Sequence, residues 1–571
     1  METSVSSFMR ACLDSYDALR GKCPKKENAL FWDAVVISAA DEQQAAAFRL
    51  QIHRKKENGL LPVVPYHIFA DLPGAKMGSG GATLHILERL TELYGDHCFE
   101  MRTLVIHTGG QSKRLPSHSV LGKLFALLPL PSKSNFQMLD LKLAMYAPFL
   151  AKMGPGVFLT CSDDIETYNL PDASQARWTF EGAGFTALAH PSPVSLGLTH
   201  GVYVLPESLG ASRACVTSSC LEVLQKPTEE VMRTKGAIVS LKKEDGSYEE
   251  IAFTDSAFFF DSSVMHQMLR FYEQVKPLSY EIDAYGDFLK ALGLRSKDVG
   301  DINALGGCGD TKLCIQDVLR NSDLRVIVLP LSRFYHLGTT LEYVENLCSS
   351  DTFKSELGTC RFVVSRLMGS ATEQNAPSRI EGVVMGSLLH PSCCIGSTVV
   401  IEHCRFETPV VARENCVMSN CRLAADIGEP VVVPSDSIIF TACITKQSAS
   451  GYVTVGFGVQ DDLKFESKDK ESLSYFGRTI GDLVRSGTVG LNSVFEESHS
   501  DACSLWEAKL FAVKPTMSEA FLSTLHFVRC VIGGNSSNQS SQDTDLKVSM
   551  RDIITWKDIP RISSHQDSIF D

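Results

Sequence analysis

Thr103–Lys123 reads TLVIHTGGQSKRLPSHSVLGK, and the rest of the chain is organised around it. Thr103 to Ile106 are β-branched or aliphatic and read as a buried strand. Gly109 and Gly110 break that strand, at a point where a residue without Cβ lets the backbone turn sharply and approach a ligand closely. Lys113 and Arg114 follow, then Lys123 nine residues after Arg114. Amides at such a turn point at an anion, and cations behind them neutralise phosphate charge. The plain alternative is a strand-to-loop connection with solvated cations. A Walker A loop needs Gly-Lys-Ser/Thr after a four-residue spacer, and a dinucleotide fingerprint needs three glycines before a helix. This loop has neither.

Upstream, residues 10–30 read as an amphipathic helix, Asp33–Ser38 (DAVVIS) as a buried strand and Asp41–His53 as a helix. Gly78-Ser79-Gly80-Gly81 forms a second glycine-rich loop running into a helix expected over Ala82–Leu93. Such a helix start attracts anions or lets a flat base lie on bare backbone, and a flexible linker is the other reading. Downstream, Phe136–Leu150 reads as helical, and the strand Val157–Thr160 delivers Cys161-Ser162-Asp163-Asp164. Carboxylates at the C-terminal end of a parallel strand lie where α/β sheets bind ligands. One such oxygen ligand suffices for Mg²⁺ when phosphates and water supply the others. Capping of a following helix is the competing use of Asp163 or Asp164. Val202–Leu205 and Phe253–Asp261 read as strands, with Lys226-Pro227 between them, and Tyr280–Leu289 as a helix.

From about Ser350 the texture changes. VMGSL, VIEHC, VMSNC and IFTAC recur with their fifth positions at Leu388, Cys404, Cys421 and Cys443, spaced by 16, 17 and 22 residues. That is one coil of a β-solenoid per repeat, with those four side chains stacked inside as buried hydrophobes. Clustered thiolate ligands for zinc are the alternative. The expected organisation is a catalytic domain over 1–345, with an extra βα unit in 1–100, and a connector over 346–378 that includes the polar patch Ser370–Ser378. A solenoid-like domain over 379–571 completes it, with a mobile loop at Gly533–Gln542.

The 571-residue chain is too long for one ordinary core. Its 44% hydrophobic and 21% charged content is that of a globular protein, and a net charge of −13 argues against nucleic acid or an anionic membrane as partner. No apolar run approaches a membrane span, and the N-terminus has no apolar secretory core. Eighteen cysteines without a paired CxxC pattern are expected to be reduced, in the cytoplasm.

GGxSxR followed by Lys123 resembles the signature loop of the sugar-1-phosphate nucleotidyltransferases, the sugar-nucleotide pyrophosphorylases. In the usual form a glycine stands where Ser112 is, and proline follows the distal lysine where this chain has Leu124. Further along, Ser162-Asp163 resembles the Gly-Asp metal segment, Gln225-Lys226-Pro227 the Glu-Lys-Pro segment, and Asp255 falls in the next strand motif. His336 stands where some members have an aspartate. The resemblance implies a doubly wound, Rossmann-like mixed α/β sheet followed by the solenoid. It implies Gly80, Gly81, Gly109, Gly110, Ser112 and Lys113 on the nucleotide, Arg114 and Lys123 as catalytic cations, and Lys226 on the sugar phosphate. Asp163 holds Mg²⁺ on this reading, and Asp255 faces the sugar or a metal.

FWDAVVISAADEQQAAAF, GSGGATL, HTGGQSKRLP and YGDFL together resemble the branch of the family that uses GTP and L-fucose 1-phosphate. GDP-L-fucose and pyrophosphate are then the products. No Pro-x-Gly-x-Gly-Leu-Gly-Ser-Ser kinase loop is found, so a separate kinase is expected to supply the sugar phosphate. Residue chemistry by itself reaches an NTP and a sugar phosphate. A nucleotidyltransferase for another sugar or base, a regulatory subunit that binds without turnover, and an interaction scaffold stay open at this level.

Overall fold

The structure, a computed structural model, describes residues 5–131, 134–171, 177–207, 214–242, 246–298, 315–369, 379–425, 427–447, 449–495, 502–534 and 546–571. The chain divides into two compact units, Met1–Gly110 with Leu139–Tyr335, and Gln111–Met138 with His336–Asp571. The cation-bearing stretch after Gly110 thus folds with the C-terminal half of the chain.

The main sheet of the first unit contains β1 (Ala34–Ala39), β2 (Tyr66–Ala70), β3 (Arg102–His107), β4 (Gly156–Cys161), β5 (Phe185–Pro193), β6 (Val216–Ser219), β7 (Tyr248–Asp261) and β8 (Leu324–Val328). Their spatial order is β6-β8-β5-β7-β4-β3-β1-β2. β1 runs parallel to β2 and β3, and β3 parallel to β4, so Val35 faces Tyr66 and Leu104 in register. β7 runs antiparallel to β4 and β5, which makes the sheet mixed. Ala34, Val35, Val36 and Ile37 are wholly buried, as expected of a parallel strand covered on both faces. The βα unit of residues 1–100 is therefore no appendage. β1 and β2 extend the sheet directly beside β3.

Among the described residues three α-helices precede β3, α1 (Val5–Leu19), α2 (Glu42–Glu57) and α3 (Gly78–Tyr94). Asp41 caps α2 by accepting from the Gln44 amide at 2.7 Å. α3 begins at Gly78 itself, so the glycine-rich segment is its first turn and not a loop ahead of it. The stretch expected to be helical over Tyr280–Leu289 contains only a π-turn at Ala284–Phe288 and a 3₁₀ turn beginning at Leu289.

In the second unit, short strands pair in parallel with the next repeat. Val383–Met385, Val399–Glu402, Cys416–Ser419 and Ser437–Lys446 are neighbours in one such sheet. Leu388–Leu389, Arg405–Phe406 and Arg422–Leu423 belong to a second, and Cys394–Ile395, Val410–Ala412 and Val431–Val433 form a third. In the middle repeats partners lie 17 residues apart, Val383 facing Val400 and Val400 facing Val417, and the offset widens to 21 at Val417 and Ile438. Val384, Ile401, Met418 and Ile439 stack in register and are wholly buried.

The column of small side chains differs by one position from the expected one. Ser365, Ser387, Cys404 and Cys421 line up, all wholly buried. The Ser387 amide donates to Ser365 Oγ at 3.1 Å, the Cys404 amide to Ser387 Oγ at 2.9 Å and the Cys421 amide to Cys404 Sγ at 3.4 Å. Leu388 is only half-buried, and its neighbour Leu389 packs inside. Cys443 lies beyond the stack, opposite Tyr452 in an antiparallel hairpin, so the 22-residue spacing marks the end of the repeat. The cause of the offset is the corner: Val364, Gly386, His403 and Asn420 precede the column residues with φ of 46°, 54°, 50° and 55°. Each repeat turns there through a left-handed residue.

The 346–378 connector is structured where it is described, with a helix at Asp351–Leu357 and strands at Phe362–Val363 and Arg366–Leu367. The polar patch over 370–378 lies outside the described residues, as does 535–542 of the loop expected to be mobile. That loop follows a helix, Met517–Gly533, closed by Gly534 at φ 67°. Among the described residues no helix is long and apolar enough to cross a membrane.

Candidate functional site

The C-terminal ends of β1, β2 and β3 open on a cavity of about 880 Å³. Its walls come from the β1–α2 turn, the segment Asp71–Met77 after β2, Gly78–Ser79 at the start of α3, and Gly109–Gly110 after β3. Parallel strands that all end on one side leave a crevice there, which is where open α/β sheets bind ligands.

The two glycine clusters serve different ends. A Cβ on Gly78 would fall 2.4 Å from the Ile282 carbonyl oxygen, and one on Gly80 2.6 Å from Ile282 Cγ2. The amides of Gly80 and Gly81 donate to that same carbonyl at 2.8 and 3.3 Å. These glycines let the segment around Ile282 lie against the first turn of α3, and their backbone faces that segment. Gly110, at φ 142°, meets nothing within 4 Å, so bare backbone faces the cavity here. Gln44 fixes the position of this turn, accepting from the Ala40 amide at 2.7 Å and donating to the Gly110 carbonyl at 3.0 Å.

His107 closes β3 immediately before the glycines. Its Nε2 lies 3.0 Å from Thr83 Oγ1, and its Nδ1 lies 3.2 Å from Ser38 Oγ. Thr83 directs its own proton to the Ser79 carbonyl at 2.8 Å, so Nε2 carries the hydrogen and Nδ1 accepts from Ser38. Burial pushes the His107 pKa down to about 4 while the Asp283 charge acts the other way, so the ring is neutral near pH 7. Asp283 accepts from Ser79 Oγ at 3.3 Å and from the Tyr285 amide at 2.9 Å. Ser38, Gln44, Thr83, His107 and Asp283 thus tie the ends of β1 and β3 and the first turn of α3 together. Ser38, Gln44, Thr83 and His107 lie inside the segments that carry the family resemblance, but nothing in those segments singles out their side chains, and Asp283 lies outside them.

β4 delivers Cys161, whose thiol donates to the Tyr285 hydroxyl at 3.3 Å. Burial first, then the charges of Asp164 and Asp163, raise the Cys161 pKa well above that of a free thiol. Asp163 is half-buried and Asp164 buried. Anionic oxygens in this partly dried corner fit a hard divalent cation, and Asp163 is the more open of the two. Asp255 sits at an irregularity in the β7–β5 register between Asp255 and Phe258. It is 5% exposed, accepts from the Gly201 amide at 2.9 Å and lies 3.5 Å from Gln225 Nε2. Burial raises its pKa to about 6 against those hydrogen bonds. Lys226, the next residue after Gln225, is exposed and has φ 46°.

The remaining sequence-predicted residues lie in the second unit. Ser112 adopts φ 52°, the left-handed conformation that a glycine would take most easily. Lys113 Nζ sits 5.5 Å from the ring centre of the buried Trp506. The Arg114 carbonyl accepts from the Thr340 amide at 3.0 Å, and its side chain is exposed. Lys123 Nζ donates to the Gly338 carbonyl at 2.8 Å. Next to it in sequence, Gly338 and Thr339 donate their amides to Glu342 at 3.1 and 2.8 Å, and His336 Nδ1 lies 3.3 Å from the same carboxylate.

His118, in the same loop, is buried against Glu402 at 3.2 Å, and the Tyr343 hydroxyl donates to Glu402 at 3.1 Å. Burial alone would raise the Glu402 pKa, but the His118 charge and its hydrogen bond outweigh it and bring it down to about 2.

Residues 95–516 match the family described as the fucose pyrophosphorylase domain. A human protein named fucose-1-phosphate guanylyltransferase is 33% identical over 592 aligned residues, covering all of this chain and 95% of its own length. The mouse protein of the same name is 35% identical, covering 98% of this chain and 96% of its own. A bifunctional fucokinase/GDP-fucose pyrophosphorylase of Arabidopsis thaliana is 22% identical over 84% of this chain and 47% of its own length.

Proposed function

The chain belongs to the fucose pyrophosphorylase family, and from that premise we propose that it transfers GMP from GTP to L-fucose 1-phosphate, releasing pyrophosphate and GDP-L-fucose. The observation that carries this is identity along the full chain to guanylyltransferases named for that substrate.

A phosphate oxygen of L-fucose 1-phosphate attacks the α-phosphorus of GTP, a P–O bond forms, and the bond to the β-phosphate oxygen breaks. That oxygen leaves with the pyrophosphate. The attacking group is already ionised at neutral pH, so no protein base is needed, and catalysis is positioning plus charge neutralisation. In this reading Lys226 binds the sugar phosphate, Arg114 balances the β- and γ-phosphates, and Lys123, held by the Gly338 carbonyl, meets charge shifting at the α-phosphorus. The cavity at the ends of β1 to β3 takes the nucleoside. Asp163 would hold Mg²⁺, which neutralises phosphate charge when bound.

The 17-residue register and the stacked corner residues support reading the repeats of the second unit as coils of a β-solenoid. The cysteines of the described residues are free, which supports a reducing compartment, the cytoplasm.

Pyrophosphate release from GTP and L-fucose 1-phosphate, set against a panel of other sugar phosphates, tests the assignment. Preferential turnover of another sugar phosphate would overturn it. Asp163→Asn is expected to lose most of kcat while melting like the parent. Unchanged kcat at saturating Mg²⁺ would remove Asp163 from the metal site.

A further inference from the structure

We propose that the cavity at the ends of β1, β2 and β3 is the purine-base subsite, and that the Asp71 carboxylate reads guanine through its N1–H and exocyclic amino group. The inference rests on the GTP reading above and names the residue that makes the site a guanine site.

Five carboxylates line this cavity: Asp41, Glu42, Asp71, Glu281 and Asp283. Asp41 caps α2, Glu42 pairs with Arg49, and Glu281 pairs with Lys76 at 2.8 Å. Asp283 accepts from Ser79 and the Tyr285 amide. The Asp71 carboxylate alone of the five has no hydrogen bond or ion pair among the described residues. Its backbone is nonetheless fixed, because its amide donates to the Ala39 carbonyl at 2.8 Å and the next amide, of Leu72, lies 3.2 Å from Met77 Sδ. Burial first, and the Asp41 charge second, push its pKa up to about 6, the mark of a carboxylate short of donors.

The surroundings favour a flat heterocycle over a phosphate. Arg49, Arg89 and Lys76 are tied to Glu42, Glu92 and Glu281, so no cation is left facing Asp71 from the lining. Leu72, Pro73 and Met77 give an apolar edge, and the Gly109–Gly110 backbone gives a surface without side chains. Guanine offers two N–H donors in line, which match the two oxygens of one carboxylate. Adenine would set its N1 lone pair against them, and a buried acceptor facing another acceptor discriminates strongly.

The test uses the full chain with L-fucose 1-phosphate, comparing GTP, ITP, XTP and ATP for the parent and Asp71→Asn. The parent should prefer GTP over ITP, which lacks the amino group, by roughly tenfold to a hundredfold, the worth of one hydrogen bond to a charged group. Asp71→Asn should lose GTP kcat/KM by a similar factor, chiefly through nucleotide KM. XTP should gain, since an amide N–H₂ can donate to its C2 carbonyl. KM for L-fucose 1-phosphate should not move. A GTP-to-XTP preference unchanged in Asp71→Asn would overturn the proposal. Calorimetry of GTP and ATP binding to both proteins covers failure of the functional reading. A parent that binds GTP over ATP but turns over no fucose 1-phosphate leaves Asp71 in place and removes the reaction. Equal binding of GTP and ATP by the parent overturns the base subsite itself. Should Asp71→Asn not fold, N1-methyl-GTP on the parent decides: undiminished turnover overturns the edge reading, and a loss of about tenfold or more supports it.

Discussion

Lys226 holds φ at 46° directly before Pro227, a conformation that costs an L-residue about 1–2 kcal/mol. Its neighbours hold it there: its amide donates to the His200 carbonyl at 3.1 Å, and Gln225 is tied to the Tyr285 carbonyl at 2.9 Å. Strain kept in place this way aims an exposed ammonium group. Two variants test the roles of the two lysines. Lys226→Gly should raise the melting temperature by a few degrees, because the turn relaxes, yet raise KM for the sugar phosphate about tenfold or more. Lys123→Ala should act mainly on kcat, since a contact strengthened as the α-phosphorus changes geometry stabilises the transition state more than the ground state. Steady-state kinetics with each substrate varied in turn checks both. A rise in KM for GTP alone in Lys226→Gly would reverse the two phosphate assignments. The sequence displays the cations themselves, since their types and order are visible. It does not display Asp71, because a carboxylate after a short polar-looking strand carries no signal until the strand's neighbours are known.

At the level of elements, burial alone does not make a strand legible: β5 and β8 are largely buried, but His190 and Pro191 in the one and Arg325 in the other interrupt the apolar run, and neither is read from the sequence. β1, β3 and β4 are legible, and each holds a run of at least three apolar residues, Ala34–Ile37, Leu104–Ile106 and Val157–Leu159. β2, YHIFA, lies at the sheet edge and is only partly buried, so its periodicity is weak. The repeat of the second unit is legible in period but not in phase. Val364 and His403 turn corners that glycine or asparagine would announce, and nothing in their chemistry reveals a positive φ. Val364 is the most costly choice, being β-branched, so Val364→Gly should stabilise by about 1 kcal/mol, read as a shift in the denaturation midpoint. A destabilised variant would show that the valine side chain matters more than its backbone. Next to these corners, Glu402 links the repeat to the signature loop through His118. With a folded-state pKa near 2 against an ordinary 4.5, it contributes stability that is complete above about pH 4.5 and lost as pH falls toward 2. Glu402→Gln should flatten the acid limb of the stability curve across that window. An acid limb unchanged in the variant would assign the loss to other carboxylates.

For the molecule as a whole, a boundary near residue 345 looks natural in the sequence, since every residue assigned to chemistry precedes it. The structure divides the chain differently, placing 111–138 with 336–571. Lys113, His118 and Lys123 rest on Trp506, Glu402 and Gly338, and Arg114 on Thr340. A fragment of residues 1–345 keeps every cation and carboxylate assigned to the chemistry, but it lacks Trp506 and Glu402. It should release no pyrophosphate, and limited proteolysis should cut it within 111–138 while the intact protein resists. Full activity in the fragment would show that the loop holds its shape unaided.

The bond from Lys123 to the Gly338 carbonyl spans 215 residues, and so sets a schedule for synthesis. A ribosome adding about 5–20 residues per second makes the signature loop roughly 10–40 s before that carbonyl exists. Through that interval β1, β2 and β3 can already pair, while the segment that continues from β3 waits for sequence not yet translated. The nascent chain therefore spends part of its making with a highly basic, unanchored loop. Its competence as a catalyst begins late, when the C-terminal half has emerged.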